Sequence, residues 1–223
     1  MEHKYRHVMF DCETLSLRPR AVVLSIGAVA FDPEHGVHPK PFYAVLNKTE
    51  QVALGREIDA ATVAWWNQLD TEAADVLKQA EVGANLLTVA RMLFGWLREK
   101  TETMGKWCAW SNGAEFDLPL ITDLLADVSV RPPWHYRNAR CMRTMKEELP
   151  EAYERALARH EHGRGEPVHH AALDALWQAT VMRDVLREAA AMRALTEALM
   201  SSDDSRVQDA SRAMILAREG LPR

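Results

Sequence analysis

The stretch HVMFDCETLS, His7–Ser16, carries two carboxylates one residue apart at the end of an apolar run. Successive side chains of an extended strand alternate between its faces, so Asp11 and Glu13 point to one side and Cys12 to the other. Two anions held this close repel each other, and each tends to take up a proton unless a positive charge lies between them. The stretch therefore predicts a β-strand that ends at a site for a divalent cation, with further ligands supplied from elsewhere in the chain.

The composition is that of a globular protein without a disulfide framework. Of 223 residues, 48% are apolar and 26% charged, and 27 Lys and Arg against 32 Asp and Glu give a formal charge of −5. This balance excludes a nucleic-acid binder that uses its whole surface, but it allows a local basic patch. The cysteines Cys12, Cys108 and Cys141 are far apart, which indicates reduced thiols in a cytoplasmic protein. Because no signal peptide and no membrane-length apolar run is visible, no membrane partner is expected.

Hydrophobic periodicity predicts strands first and helices afterwards. β-Branched and small residues dominate 5–14, 21–32 and 41–47, with Pro and Gly between them, which predicts an antiparallel three-strand meander. A fourth strand is predicted within 105–113. Amphipathic spacing predicts helices around residues 59–70, 86–97, 117–128 and 171–181.

The order of these elements predicts a mixed α/β domain over residues 1–192 and a helical C-terminal extension over residues 193–223. The extension is expected to form a helical pair, the second helix opening at Ser205 with the capping pattern Ser205-x-x-Gln208. Its apolar side either covers the protein's own core or packs on a second copy, so the sequence does not decide whether the protein forms a homodimer.

Two further acids are candidates for the cation site. Asp117 lies at the start of a predicted helix in NGAEFD, and Asp174 lies in the first turn of the next strongly periodic helix, in HHAALDA. Each alone is equally typical of a helix cap or of an acid placed against the helix dipole. The order favours a site, because a strand-end D-x-E, an N-G-x-x-F-D and an H-x4-D each occur once and in that sequence.

These three motifs together resemble those of the DnaQ-like 3′–5′ exonucleases of the DEDDh branch, which have a ribonuclease H-like fold. The resemblance covers roughly residues 5 to 190, and FDCETLSLRPRAVVLSIGAVAFDP and ATVAWWNQ look most like the subgroup of phage exodeoxyribonucleases and polyadenylate-directed exoribonucleases. The implied fold is a mixed sheet, a three-strand meander plus later strands, flanked by helices. Leu15-Ser16 departs from the Thr-Gly of many proofreading members, so contacts to the terminal nucleotide are expected to differ there.

The resemblance implies two-metal hydrolysis of phosphodiester bonds. Asp11 would bridge two ions, Glu13 and Asp174 would complete the site that activates water, and Asp117 would hold the second ion. Hard oxygen ligands select Mg²⁺ or Mn²⁺, and no cysteine cluster competes for the metal.

The general base implied by the resemblance is His169, five residues before the last acid. A neutral imidazole suits removal of a proton from water near pH 7. His170 is the competing candidate, and the spacing to Asp174 favours His169. The preceding segment 161–168, which contains Gly163, Gly165 and Pro167, predicts a loop that carries the base toward bound substrate.

Substrate contacts are predicted from a basic segment and from the strand end. The segment Arg131–Lys146 holds five Lys or Arg and no acid, so it is either a track for phosphates or a solvated helix face, with Trp134 and Tyr136 available for stacking on bases. The resemblance implies that the backbone after Asp11 holds the terminal nucleotide. Either tryptophan of the pair at 65–66 is a candidate to cover its base. The predicted substrate-binding residues are Cys12, Thr14, Leu15, Asn112, Trp66, Arg137, Arg140 and Arg143.

The resemblance thus implies a 3′–5′ exonuclease that acts on single-stranded DNA or RNA with a free 3′ end and releases nucleoside 5′-monophosphates. A non-catalytic nucleic-acid-binding module on this fold would be expected to lack an acid or the histidine. A ribonuclease H-type endonuclease would have no reason to keep H-x4-D. Both alternatives are therefore disfavoured, while the choice between ribose and deoxyribose stays open.

Overall fold

The computed structural model describes residues 3–69, 71–103, 105–161, 169–201 and 204–221, with the side chains of 71–74 left aside. Within these residues six strands form one mixed sheet in the order β3-β2-β1-β5-β6, with β4 also paired to β2. The strands are β1 (His7–Thr14), β2 (Val23–Asp32), β3 (Gly36–Val37), β4 (Phe42–Val45), β5 (Cys108–Ser111) and β6 (Ala139–Cys141).

The helices of the described residues surround this sheet. They are α1 (Lys48–Ala53), α2 (Ala60–Trp66), α3 (Thr71–Gln79), α4 (Leu86–Lys100), α5 (Asp117–Asp127), α6 (Met142–Glu148), α7 (Pro150–His160), α8 (Ala171–Ser201) and α9 (Asp204–Glu219). The predicted mixed α/β fold with a three-strand antiparallel meander is confirmed. The two-residue β3 and the short β6 lack the length that gives a strand a visible period in the sequence.

The alternation along β1 decides which side of the sheet holds the candidate site. Val8, Phe10 and Cys12 belong to the core formed with α4 and α5, whereas Met9 belongs to the core formed with α7 and α8. Asp11 is two residues after Met9 and therefore points to the same face of the sheet. The D-x-E carboxylates thus lie on the α8 side, at the carboxyl end of β1. β1 is central in the sheet, antiparallel to β2 and parallel to β5.

A buried ion network fixes α5 against the segment before α2. The Arg56 side chain is fully buried, and its guanidinium donates to Asp127 at 2.7 Å, to Asp123 at 2.8 Å and to the carbonyl oxygen of Ala21 at 3.0 Å. Arg20 also pairs with both carboxylates. Since Asp117 begins α5, this network holds the far end of the helix that carries a predicted ligand.

The C-terminal region packs on the domain itself. α8 continues without a break past residue 192, and its part between residues 175 and 186 packs in the core with the sheet. Met214 and Ala217 of α9 are buried with Ala191 of α8, and Arg218 pairs with the buried Glu188. The tail thus covers part of its own chain, and the predicted packing on a second copy stays a prediction. Asp204 is the first described residue of α9, one before the predicted cap.

All three cysteines are free thiols. No helix among the described residues has the length and hydropathy that a membrane span requires.

Candidate active site

The approach of α8 to β2 depends on a residue without a side chain. A Cβ at Gly27 would lie 2.1 Å from the carbonyl oxygen of Ala171 and 2.4 Å from the backbone nitrogen of Ala172. Gly27 is the β2 partner of Asp11. The first turn of α8, which carries Asp174, therefore sits directly on the sheet beside Asp11.

The second motif reaches the strand end through a hydrogen bond. Asp117, the first residue of α5, is 5% exposed, and its Oδ1 accepts the backbone N–H of Cys12 at 3.1 Å. Burial raises the pKa of Asp117 to about 7, although the Cys12 N–H and the charge of Arg143 act in the opposite direction. The carboxylate is thus held beside the D-x-E motif in a setting that disfavours its negative charge.

The carboxylate of Asp11 is held close to the other acids of the group. Burial, together with the charges of Asp117 and Glu13 and more weakly Asp174, raises its pKa well above the ordinary value, and the hydrogen bond from Gln178 lowers it. The charges of Asp117, Glu13 and Asp174 thus disfavour the ionisation of Asp11, and bound cations would relieve this repulsion. The residues present fit divalent cations with oxygen ligands.

The predicted base lies at the same cluster. Nitrogen or oxygen ligand atoms of Glu13, His169 and Asp174 all lie within 4.8 Å of one another. His169 has φ +63°, in the left-handed region that a side chain rarely adopts. Backbone strain of this kind is concentrated at functional sites. The loop predicted at Gly163–Pro167 lies outside the described residues.

His170 occupies a different environment from its neighbour. Its ring stacks on Tyr43 with centroids 4.2 Å apart, and its backbone oxygen accepts the N–H of Asp174. Burial lowers the pKa of His170. The two adjacent histidines are therefore separated: one ring is at the carboxylates and the other is packed on β4.

A cavity of about 480 Å³ opens beside the carboxylates, within the range of small-molecule sites. Trp66 is 1% exposed, and its indole N–H donates to the Thr14 carbonyl oxygen at 2.9 Å. Trp65 is 42% exposed and contacts the His169 ring edge-on, with centroids 4.9 Å apart. The lining residues are Cys12, Glu13, Thr14, Leu17, Asp59, Ala61, Thr62, Trp65, Trp66 and Phe116.

The strand-end backbone is already engaged within the protein at several points. The Cys12 N–H is bonded to Asp117, the Thr14 carbonyl oxygen to Trp66, and the Leu15 N–H to the carbonyl oxygen of Val22. Thr14 and Leu15 are themselves buried. Of the residues at the strand end, Cys12 and Thr14 line the cavity, together with the half-exposed Trp65.

The basic segment is divided between two places. Arg143 lies over Gly113, with its guanidinium carbon 3.5 Å from the position of a Cβ there, and its charge acts on Asp117. The charge of Arg140 instead acts on His7, at the other end of β1. The exposed Arg137 donates to the phenolic oxygen of Tyr136 at 3.1 Å.

The prediction that Trp134 is available for stacking is wrong. Its side chain is 7% exposed and packs in the core, with its ring 5.1 Å from that of Phe10. Tyr136, by contrast, is 73% exposed. The alternative of a solvated helix face applies to the end of the segment, because Arg143 and Lys146 are exposed on α6, which begins at Met142 after a 3₁₀ turn and β6. Asn112 is half-buried in the turn between β5 and α5.

Sequence reasoning missed Gln178 and Asp59 and did not choose Trp65. The signal for Gln178 was its place four residues after Asp174, which puts both on one helix face. Asp59 was visible as the residue that caps α2, where it accepts the Thr62 N–H at 3.0 Å. Trp65 and Trp66 point about 100° apart on the helix, and only the fold decides which is buried.

A second group of candidate metal ligands lies at the other end of β1 and β2. Ligand atoms of His3, Asp32 and His35 come within 4.8 Å of one another. Asp32, however, is already paired with Arg6 at 2.9 Å and accepts the backbone N–H of Glu34 at 2.9 Å. The positive charge of the Arg6 guanidinium would repel a cation there. The D-x-E end of β1 is therefore the candidate metal centre.

Comparison with known proteins agrees with this fold. Exonuclease I of E. coli, in a structure with a dT13 oligonucleotide, has a TM-score of 0.58 and 14% identity over 92% of this chain and 46% of its own. The nuclease domain of 3′hExo, described as a DEDDh family member bound to rAMP, has a TM-score of 0.57 and 11% identity over 82% of this chain and 93% of its own.

A zinc-bound complex of E. coli exonuclease I with single-stranded DNA has a TM-score of 0.57 and 14% identity, over 83% of this chain and 41% of its own. The present chain thus spans less than half the length of exonuclease I. At these identities the likeness shows the fold alone. No curated protein matches the sequence.

The sheet order and the flanking helices, like these structural neighbours, define the class of the fold as ribonuclease H-like. The family model for the 3′-5′ exoribonuclease Rv2179c-like domain matches residues 6–186. The chain therefore belongs to that family. The predicted resemblance to the DnaQ-like exonucleases is confirmed.

Proposed function

We propose that this protein is a 3′-5′ exonuclease, which removes nucleoside 5′-monophosphates one at a time from the free 3′ end of single-stranded nucleic acid, using two Mg²⁺ or Mn²⁺ ions. The observation that carries the proposal is the convergence of Asp11, Glu13, Asp117 and Asp174, together with His169, on one buried cluster beside an open cavity. The four acids would hold the ions. When bound, the ions supply Lewis-acid stabilisation of the phosphoryl group and of the leaving oxygen.

The chain's own residues have distinct tasks in this reaction. His169 accepts the proton of the attacking water, since its ring reaches within 4.8 Å of the carboxylate oxygens of Glu13 and Asp174. Trp65 supports that ring from the side and offers its exposed face to the terminal base. A base stacked on an aromatic ring contributes about 1–3 kcal/mol. Arg143, beside Asp117, is suited to the phosphate next to the scissile bond.

RNA is proposed as the better substrate, because the family to which the chain belongs is described by exoribonuclease activity. The exonuclease I structure described above contains a DNA oligonucleotide, so the rate on DNA is to be compared with the rate on RNA. A cytoplasmic location fits the three free thiols.

The experiment measures degradation of 3′-labelled single-stranded RNA and DNA of one sequence, with Mg²⁺, with Mn²⁺ and with chelator. Activity should require the cation and should vanish in Asp11→Asn and Asp174→Asn while both variants stay folded. Removing one anion from a repelling cluster should leave metal-free stability unchanged or higher. Wild-type rates in either variant, or full activity in chelator, would contradict the assignment of the metal centre.

The basic segment is tested by its salt dependence. Changing Arg143 to Gln should weaken RNA binding and reduce the salt slope by about 0.7 for each phosphate that the protein no longer neutralises. The matched change at Arg140, whose charge lies near His7, should have a smaller effect. Equal effects at the two positions would contradict the distinct placement of these arginines.

A further inference from the structure

Gln178 contacts the centre of the carboxylate cluster from α8. Its side chain is 5% exposed, and its amide nitrogen donates to Asp11 Oδ1 at 2.8 Å. The amide nitrogen, and not the amide oxygen, therefore faces Asp11, as the ionised carboxylate requires. Gln178 follows Asp174 by one helical turn, which places both side chains on the same face of α8.

The other half of this amide is unsatisfied. Gln178 Oε1 is buried and has no hydrogen-bond partner in the part of the chain that the structure describes. A buried acceptor without a partner costs stability. Such a cost at a functional centre indicates that the remaining contact has a purpose other than packing.

Gln51 shows how a structural glutamine is accommodated in the same protein. It is fully buried, its Nε2 donates to the carbonyl oxygen of Val23 at 2.8 Å, and its Oε1 accepts the N–H of Val23 at 2.8 Å. Both ends of that amide are used to hold α1 against β2. Gln178 uses only one end, and that end is on Asp11.

A neutral donor suits this position electrostatically. Asp11 is surrounded by other acids, so a lysine or arginine at residue 178 would neutralise the cluster and compete with cations. An apolar residue would leave the Asp11 carboxylate free to rotate away from its like-charged neighbours. An amide fixes one oxygen without adding charge.

We propose that Gln178 is a positioning residue of the metal centre, whose amide holds the Asp11 carboxylate in the orientation that joins it to the other three acids. This inference rests on the proposed metal-dependent function. Groups that orient metal ligands typically contribute about 10- to 100-fold to metal affinity or activity. Removing the amide should therefore weaken metal binding without unfolding the protein.

The test measures Mn²⁺ binding to the substrate-free protein by isothermal titration calorimetry, alongside thermal melting without metal. Gln178→Leu removes the donor and the unsatisfied acceptor together, and Gln178→Asn keeps an amide that is one methylene too short to reach Asp11. Thr180→Val is the control, because it removes a hydrogen bond to the Leu176 carbonyl oxygen on the same helix. The concentration of Mg²⁺ that gives half-maximal exonuclease rate is measured for each protein.

Both Gln178 variants should bind Mn²⁺ about 10- to 100-fold more weakly and need correspondingly more Mg²⁺. Gln178→Leu should melt no lower than the wild type, and Thr180→Val should keep wild-type metal affinity. If the wild type binds Mn²⁺ and the Gln178 variants bind it equally well, or if Gln178→Leu only lowers the melting temperature, the inference is overturned and the proposed function stands. If the wild type itself binds no Mn²⁺, both are overturned.

Discussion

Replacing Gly27 by alanine tests whether the contact between β2 and α8 assembles the proposed active site. The new Cβ would lie 2.1 Å from the carbonyl oxygen of Ala171, whereas real Cβ atoms essentially never come closer than 3.0 Å to another heavy atom. The start of α8 must therefore withdraw from the sheet by the difference, about 0.9 Å. Asp174 is in the first turn of that helix, and it would move with it.

A displacement of this size affects rate more than stability. Misplacing catalytic groups by roughly 1 Å can cost about 10²-fold in rate. Overpacking a well-packed core typically costs about 1–3 kcal/mol. We therefore expect Gly27→Ala to stay folded with a lower melting temperature and to lose about 10²-fold in exonuclease rate at saturating Mg²⁺.

Gly95→Ala is the matched control for this measurement. Gly95 lies within α4, and a Cβ there would meet nothing within 4 Å. Alanine in an exposed helix interior should raise stability by up to about 1 kcal/mol and leave the rate unchanged. A Gly27→Ala protein with wild-type rate would refute the view that the close approach of α8 aligns the cluster, and so would equal losses in both variants.

Three further predictions concern the base, the ion network and acid stability. His169→Asn should lose about 10²- to 10⁴-fold in single-turnover rate, and His170→Asn should lose little; equal losses would contradict the separation of the two rings. Arg56→Met should lower the free energy of unfolding, measured in urea, by about 3 kcal/mol. This is the low end for a broken buried ion pair, because another arginine still contacts both carboxylates. A change under roughly 1 kcal/mol, the usual value of a surface pair, would mean that the protein does not need the network for stability. Burial raises the pKa of Asp32, but hydrogen bonds, chiefly from Arg6, outweigh it and hold the value at about 2 against 3.8. Asp32→Asn should therefore lower the free energy of unfolding by about 1–2 kcal/mol above pH 5, after allowance for the half-exposed Arg6. This difference from the wild type should vanish as the pH falls from about 4 to 2. A difference that grows on acidification would contradict the prediction.

Local hydrophobic periodicity was sufficient to predict the secondary-structure elements that carry the acids. The alternation along β1 put Asp11 and Glu13 on one face, and the 3.6-residue period of α8 put Asp174 near its buried side. Both features depend only on neighbours in the sequence. The mixed sheet and its flanking helices followed from the order of such elements.

Contacts between elements that are distant in the sequence could not be predicted from local periodicity. Trp134 follows a Pro-Pro pair in a basic segment, and its burial against Phe10 depends on where β1 lies. The bond from Gln178 to Asp11 joins residues 167 positions apart. The short β6 has too few residues for a period, and it exists because β5 offers it a parallel edge.

The central claim is that the cluster hydrolyses the terminal bond at a free 3′ end. It is tested most directly by a time course with the wild-type protein and Mg²⁺ on three single-stranded RNAs of one sequence: linear with a 3′-hydroxyl, linear with a 3′-phosphate, and circular. A 3′-phosphate adds up to about two negative charges beside the carboxylates. The account predicts stepwise release of nucleoside 5′-monophosphates from the first, strong inhibition with the second and negligible cutting of the third. Linearisation of the circle before any mononucleotide appears would contradict it and identify an endonuclease.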